Sequence, residues 1–307
     1  MIPYKELEKK YSDFAGSKYA VAVNTGTSAL HLALVALGIS KDDEVIVPDF
    51  TMSACGFSVS YTGAKVVTVD CDDTLNIDVS KIEEKITPKT KAIMAVHIYG
   101  RLCNMKEIIR IAKKHKLYVI EDACEVHGAI YKSKADITCY SFYRNKIIHA
   151  EEGGICTTDN KKLHDKMQYL KNMAFGEEHD YFHKSIGFNY RMPDTTALQV
   201  LDSLKNYKEN AENRRFVEHF YKTHCKHRIL GKREAVWIYD FVCDDPKERN
   251  RIVKNNIMAR HFFKPLSSMP MWKQKVGKKA KYYSEHGAYY IVEPEMSEEQ
   301  VKKICNL

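Results

Sequence analysis

No stretch of this 307-residue chain approaches the roughly 20 consecutive apolar residues that a membrane-spanning helix needs, so no membrane partner is expected. The opening residues, MIPYKELEKKYSDF, lack the apolar core of a secretory leader. No C-x-x-C pair occurs among the nine cysteines (55, 71, 103, 124, 139, 156, 225, 243 and 305). Their number is odd and several sit inside apolar runs, as small buried thiols do in a reducing compartment, so no disulfide framework is expected. Low-complexity tracts and internal repeats are also missing, which argues against disorder and against a solenoid. The expectation is a cytoplasmic globular protein.

Hydrophobic residues at 44% and charged residues at 29% suit an ordinary folded chain, long enough for a large domain plus a smaller one. The net charge is +8, but the lysines are scattered along helical stretches. The one dense run, Lys273 to Lys281, has no interleaved aromatics to stack bases, so no nucleic-acid partner is expected. The positive field suits an anionic substrate such as a nucleotide diphosphate.

Seven short β-rich runs alternate with helical patterns: YAVAVNT (19–25), EVIVPDF (44–50), KVVTVD (65–70), AIMAVHIYG (92–100), LYVIEDA (117–123), ITCYSFY (137–143) and GGICTTD (153–159). Most are continuous apolar runs, as strands covered on both faces are. Helices are expected over 28–39, over 104–116 behind an Asn cap, over 161–174, and through a long stretch from about 193 to 225. A different composition follows, with a strand at 235–245, a helix at 247–257 and a short helix from Ser297. The fold class is therefore α/β, a three-layer sandwich around a mostly parallel seven-stranded sheet, with a small α+β C-terminal domain. The large domain is assigned to 1–215 and the small one to 216–307.

Ligands in open α/β sheets sit at the carboxyl ends of strands, and three such ends carry chemistry. Asn24-Thr25-Gly26-Thr27-Ser28 opens a helix with backbone N–H groups and hydroxyls that could cradle a phosphate, or could be a plain N-cap. Asp122, at the end of VIEDA, could keep a pyridinium nitrogen protonated, or could bind a metal or cap a helix. Lys146, five residues after Ser141 and ahead of Gly153-Gly154, could form an imine with a cofactor aldehyde, or could be a surface charge.

The set Gly26-Thr27-Ser28-Ala29-Leu30, Glu121-Asp122-Ala123, Ser141-Phe142-Tyr143 with Lys146, Glu152-Gly153-Gly154 and Gly187-Phe188-Asn189-Tyr190-Arg191-Met192 resembles the sugar aminotransferases of fold type I, the aspartate aminotransferase-like pyridoxal-phosphate enzymes. SFYRNKII, HKSIGFNYRM and FFKPLSSMPMW are similar to the GDP-perosamine synthase branch. The resemblance spans nearly the whole chain. It implies that pyridoxal 5'-phosphate, alternating with pyridoxamine 5'-phosphate, is held on Lys146. Asp122 would pair with the ring nitrogen, Glu125 would lie near the ring hydroxyl, and Gly26, Thr27, Ser28 and Ser141 would hold the phosphate. Asn189 would reach the cofactor phosphate of a second subunit in a homodimer. Arg191, Arg260 and His149 become candidates for substrate contact. The implied reaction moves an amino group from L-glutamate to C4 of a nucleotide-linked 4-keto-6-deoxy sugar, with GDP-4-keto-6-deoxymannose favoured over dTDP- or UDP-linked sugars.

The chain departs from that pattern in places. Met52 stands where many members have an aromatic against the cofactor ring, and a thioether can pack there too. His149-Ala150-Glu151 replaces the usual Thr-Thr-Gly. The segment before Tyr4 is shorter than in the family, and Tyr289 to Pro294 is read as a shortened loop. His179 and His183 share a helical spacing, but no metal is expected because the family-like HKSIGFNYRM segment accounts for His183. A related dehydratase would have histidine in place of Lys146, and a non-catalytic relative is the rival of another class.

Overall fold

The computed structural model describes residues 2–128, 132–176 and 181–306. The chain runs α1 (Pro3–Ala15), β1 (Tyr19–Val23), α2 (Gly26–Ala36), β2 (Glu44–Pro48), α3 (Ser53–Tyr61), β3 (Lys65–Val69), β4 (Thr90–Val96), α4 (Met105–His115), β5 (Tyr118–Asp122), β6 (Ile137–Ser141), β7 (Gly154–Thr158) and α5 (Lys161–Lys171). It continues with α6 (Asp194–Lys205), α7 (Tyr207–His224), β8 (Arg228–Ile229), β9 (Ile238–Val242), α8 (Pro246–Asn255), β10 (Ala259–His261), α9 (Lys278–His286), β11 (Gly287–Ile291) and α10 (Glu298–Cys305).

All seven expected strands form one sheet in the order β1-β7-β6-β5-β4-β2-β3. The ladders from β3 through β6 are parallel, whereas β7 runs antiparallel to both β6 and β1. Side chains alternate between faces with the period of two that a strand imposes. Val45, Val47, Met94 and Val96 pack with α2, α3 and α5, while Ile46, Ile93 and Ala95 pack with α4. On the other half of that second face, Ala20, Ala22 and Ile155 meet α1 and α6. Both faces are covered, which is why the strands read as unbroken apolar runs, and the result is the expected three-layer α/β sandwich.

A second sheet, β10-β11-β9-β8, is antiparallel throughout. The assigned division at 215/216 falls inside α7, a continuous helix. The segment read as a loop from Tyr289 is instead half strand. β11 pairs with both β9 and β10, and the cross-strand partners that hold it are distant in sequence. α3 was not anticipated, since SACGFSVSY buries residues on several sides and shows no apolar stripe. The helical stretch from 193 divides at Asn206 into α6 and α7. Cys225 and Cys305, read as free thiols, are joined as a disulfide between the end of α7 and α10.

Asp240, fully buried in β9, fastens the second sheet to the first. Its Oδ2 accepts from Arg101 Nη2 at 2.8 Å, just beyond β4, and its Oδ1 pairs with Arg233 Nη2 at 2.8 Å. Removing one partner from a buried ion network leaves uncompensated charge, at a cost of about 3–5 kcal/mol. Asp240→Ala is expected to lose stability of that order in urea unfolding, while an exposed control such as Asp165→Ala stays within about 0.5 kcal/mol.

Candidate active site

Three strand ends and one helix start converge on a cavity of about 500 Å³. The helix is α2. Thr25 caps it by accepting the Ser28 N–H on Oγ1 at 3.0 Å. The first-turn N–H groups of Gly26 and Thr27 have no partner within the helix and make an anion cradle. Gly26 is needed for close approach, because a Cβ there would lie 2.7 Å from Cβ of Ser141 at the end of β6. Gly154 is needed for the same reason, as its Cβ would come within 2.3 Å of the Thr25 carbonyl oxygen.

β5 presents its two acids to opposite faces. Glu121 turns away to His97 Nε2 at 2.6 Å and Thr138 Oγ1 at 3.0 Å. Asp122, 6% exposed, turns to the cavity. Its Oδ1 accepts the Cys124 N–H at 3.0 Å, and its Oδ2 accepts the Cys55 thiol from α3 at 3.3 Å. No cationic side chain pairs with it within 4 Å among the described residues. One turn on, Glu125 is buried with Oε2 accepting the Tyr99 N–H at 2.6 Å. Burial, opposed by the nearby Lys146 ammonium, pushes its carboxyl up to about 7.

Lys146 is 8% exposed and lines the same cavity. Its Nζ lies 3.7 Å from the centroid of the Trp237 indole and makes no hydrogen bond or ion pair among the described residues. The loop that carries it is fixed from below. Trp237 Nε1 donates to Asn145 O at 3.1 Å. Arg214 Nη2 donates to Asn145 O at 3.3 Å, and its Nη1 donates to Trp237 O at 3.0 Å and Val292 O at 2.7 Å. Met52, Tyr143, Phe263 and Tyr289 complete the wall.

Of the residues anticipated, Gly26, Thr27, Met52, Asp122, Glu125, Ser141 and Lys146 come together here. Five do not. The Ser28 hydroxyl lies outside the cavity lining, sharing a hydrogen bond with Thr25 Oγ1 at 2.9 Å. His149 is held by Ser203 and faces a separate cavity of about 700 Å³ with Arg144 and Asp202. Arg191 bonds Asn172 Oδ1 at 3.1 Å beside another cavity with Tyr4 and Lys171. Asn189 is exposed and its backbone bridges to Asn172. Arg260 donates to the carbonyls of Ile257 at 2.6 Å and Ala259 at 2.8 Å. His183 Nδ1 bonds Met173 O at 2.9 Å, and His179 lies outside the described residues.

Trp237, Phe263, Tyr289, Cys55 and Arg214 were missed. Apart from Cys55 they come from the last third of the chain, and only the docking of the second sheet brings them to the lysine loop.

The DegT/DnrJ/EryC1/StrS aminotransferase family profile matches residues 3–307. The chain belongs to this family. GDP-perosamine synthase of Escherichia coli O157:H7 is 37% identical, over 98% of this chain and 88% of that protein. GDP-perosamine synthase of Caulobacter vibrioides is 40% identical, over 86% and 77%. The Bacillus subtilis NtdA crystal structure with bound cofactor PMP superposes with a TM-score of 0.88 at 26% identity, covering 99% of this chain and 77% of that one. The chain is thus a sugar aminotransferase enzyme of fold type I, from a family that uses pyridoxal phosphate.

The site fits that cofactor. A buried carboxylate and a buried ammonium face one cavity without pairing to any neighbour within it, and a ligand bearing a ring cation, an aldehyde and a phosphate would satisfy both and fill the Gly26–Ser141 cradle.

Glu125 gives this site a pH signature. Its folded value of about 7 lies above its ordinary 4.5, so the folded chain binds this proton more tightly than the unfolded chain. Stability from this group is therefore fully present below about pH 4.5, falls as pH rises toward about 7, and is flat above. In cofactor-free protein, Glu125→Gln is expected to remove that fall, gaining up to about 3 kcal/mol on the unsubstituted chain between the ends of the window. Parallel stability profiles in urea titrations across pH would contradict the assignment.

Proposed function

We propose that this enzyme transfers an amino group from L-glutamate to C4 of GDP-4-keto-6-deoxymannose, giving GDP-perosamine. The observation that carries the reading is the cavity shared by Lys146, Asp122 and the Gly26–Ser141 cradle, in a chain whose similar relatives include GDP-perosamine synthases along most of its length.

When bound, pyridoxal phosphate supplies the electron sink and carries the amino group between the two substrates. Lys146 would anchor the cofactor, and its Nζ would take the proton from the α-carbon of glutamate and deliver one to C4 of the sugar. Asp122 would hold the ring nitrogen protonated, and Glu125 would face the ring hydroxyl. The N–H groups of Gly26 and Thr27 with the Ser141 hydroxyl hold the phosphate. The Trp237 face restrains the lysine amine, and Met52 packs by the ring.

The working form in this reading is a homodimer. Tyr181, Phe182 and Ile186 expose large apolar side chains, Ile186 at 83%, in the same segment as the exposed Asn189 and Arg191. Packing that segment on a second copy would cover the apolar surface and bring Asn189 and Arg191 to the other cavity, which neither reaches within its own chain. Sedimentation velocity should show a two-chain species; a monomer at all concentrations would defeat this part.

The activity is tested by incubating the cofactor-loaded enzyme with glutamate and GDP-4-keto-6-deoxymannose, beside the dTDP and UDP analogues, and detecting amino sugar by mass spectrometry. Product from the GDP sugar at the highest kcat/KM is expected, and product from none of the three would overturn the reading. Lys146→Ala should yield colourless protein with turnover reduced by at least about 10²–10⁴-fold.

A further inference from the structure

Away from the cofactor cavity, the second sheet gathers another group of reactive side chains. His227 stands just before β8, Cys243 just past β9, and Glu248 in the first turn of α8. One imidazole nitrogen, the thiol sulfur and one carboxylate oxygen all lie within 4.8 Å of one another. Nδ1 of His227 is 4.0 Å from Sγ of Cys243.

Local structure brings them together. β8 and β9 run antiparallel with Arg228 opposite Val242, so the residues flanking that pair are neighbours. Asp245 caps α8 by accepting the Lys247 N–H at 2.8 Å, which turns the first helical residues back over the end of β9. Cys243 is fixed by His286 on both sides: its N–H donates to His286 O at 3.0 Å, and its carbonyl accepts from His286 Nδ1 at 3.0 Å. The His227 ring is held flat against Phe241, centroids 4.9 Å apart. Among the described residues, the Glu248 carboxylate makes no hydrogen bond or ion pair, and His227 is the only polar group in contact with the Cys243 sulfur.

We propose that His227, Cys243 and Glu248 bind a thiolate-seeking divalent cation of the zinc type, with solvent as the fourth ligand. Zinc bonds of about 2.0–2.3 Å to nitrogen, oxygen and sulfur in a tetrahedron put donor atoms roughly 3.3–3.7 Å apart, so side-chain rotations contracting the widest pair by no more than about 1.5 Å suffice. A thiolate and a carboxylate neutralise the cation's charge, and the sulfur and imidazole ligands select zinc over magnesium or calcium. Burial lowers the His227 imidazole's proton affinity, leaving it neutral and free to ligate. Burial and then Glu248 push the Cys243 thiol up to about 12, so only a bound cation would draw off its proton near neutrality. None of the three lines the cofactor cavity, and the bound ion would clip α8 to the β8–β9 pair. The wide spacing, with His227 and Cys243 separated by 16 in sequence, hides the set from any sequence motif.

The test takes full-length, cofactor-loaded protein stripped with a chelator, equilibrates it with zinc chloride or magnesium chloride, desalts it, and counts metal by mass spectrometry. One zinc and no magnesium per chain is expected, together with a rise in unfolding temperature on zinc addition. His227→Ala and Cys243→Ser should retain none, and Glu248→Gln should bind at least tenfold more weakly while keeping full aminotransferase activity. Glu248, only partly buried, keeps the test decisive if the Cys243 variant fails to fold. Failure of the unsubstituted chain to retain zinc, or retention by all three variants at its level, overturns the proposal.

Discussion

The molecule is organised around two opposite charges buried in one cavity and kept from pairing with each other. Each ion taken from water costs several kcal/mol unless something answers it, and among the described residues neither Asp122 nor Lys146 is answered by a charged neighbour within 4 Å. What restrains them is weaker and directional. A thiol and a backbone N–H serve Asp122, and an indole face serves Lys146. Such contacts fix the groups without neutralising them, so a ligand of complementary charge can pair with both.

Keeping that arrangement requires both sheets. The first aligns β4, β5 and β6 in parallel, which brings the end of β5 beside the end of β6, and the antiparallel β7 returns Gly154 beneath the start of α2. The second supplies Trp237 and, through Arg214, a set of hydrogen bonds to the carbonyls of the lysine loop. Among the described residues no carboxylate pairs with buried Arg214, and burial lowers it to about 10, still protonated near neutrality. Its two terminal nitrogens donate to carbonyls of three chain segments at once, as a rigid guanidinium fork allows. Asp240, with Arg101 and Arg233, holds the same junction a few residues away. The chemistry at Lys146 is therefore coupled to how firmly the second sheet is seated.

Much of this was legible in the sequence. The seven strands were evident because burial on both faces demands continuous apolar runs, and Asn104 marked its helix because a side-chain acceptor there satisfies the Glu107 N–H. Gly26, Asp122, Ser141 and Lys146 were found because strand ends and a helix start are where an α/β sheet must bind. Ser28 was included by proximity to that turn, yet its hydroxyl pairs with Thr25 and does not line the cavity. α3 was hidden because a helix buried on several sides has no stripe, and β11 because its pairing is with distant segments. The Cys225–Cys305 disulfide spans 80 positions, and nothing local announces it.

By itself the sequence determined the fold class, since strands and helices depend on short segments whose periodicity and residue types are set by local physics, and its resemblance to known enzymes pointed to the family. Tertiary structure alone decided which side chains enclose the lysine, that Glu121 turns away while Asp122 turns in, and that His149, Arg191 and Arg260 face elsewhere in their own chain. Those outcomes depend on strand register and on the docking of a second sheet, and both are set by contacts between residues far apart along the chain.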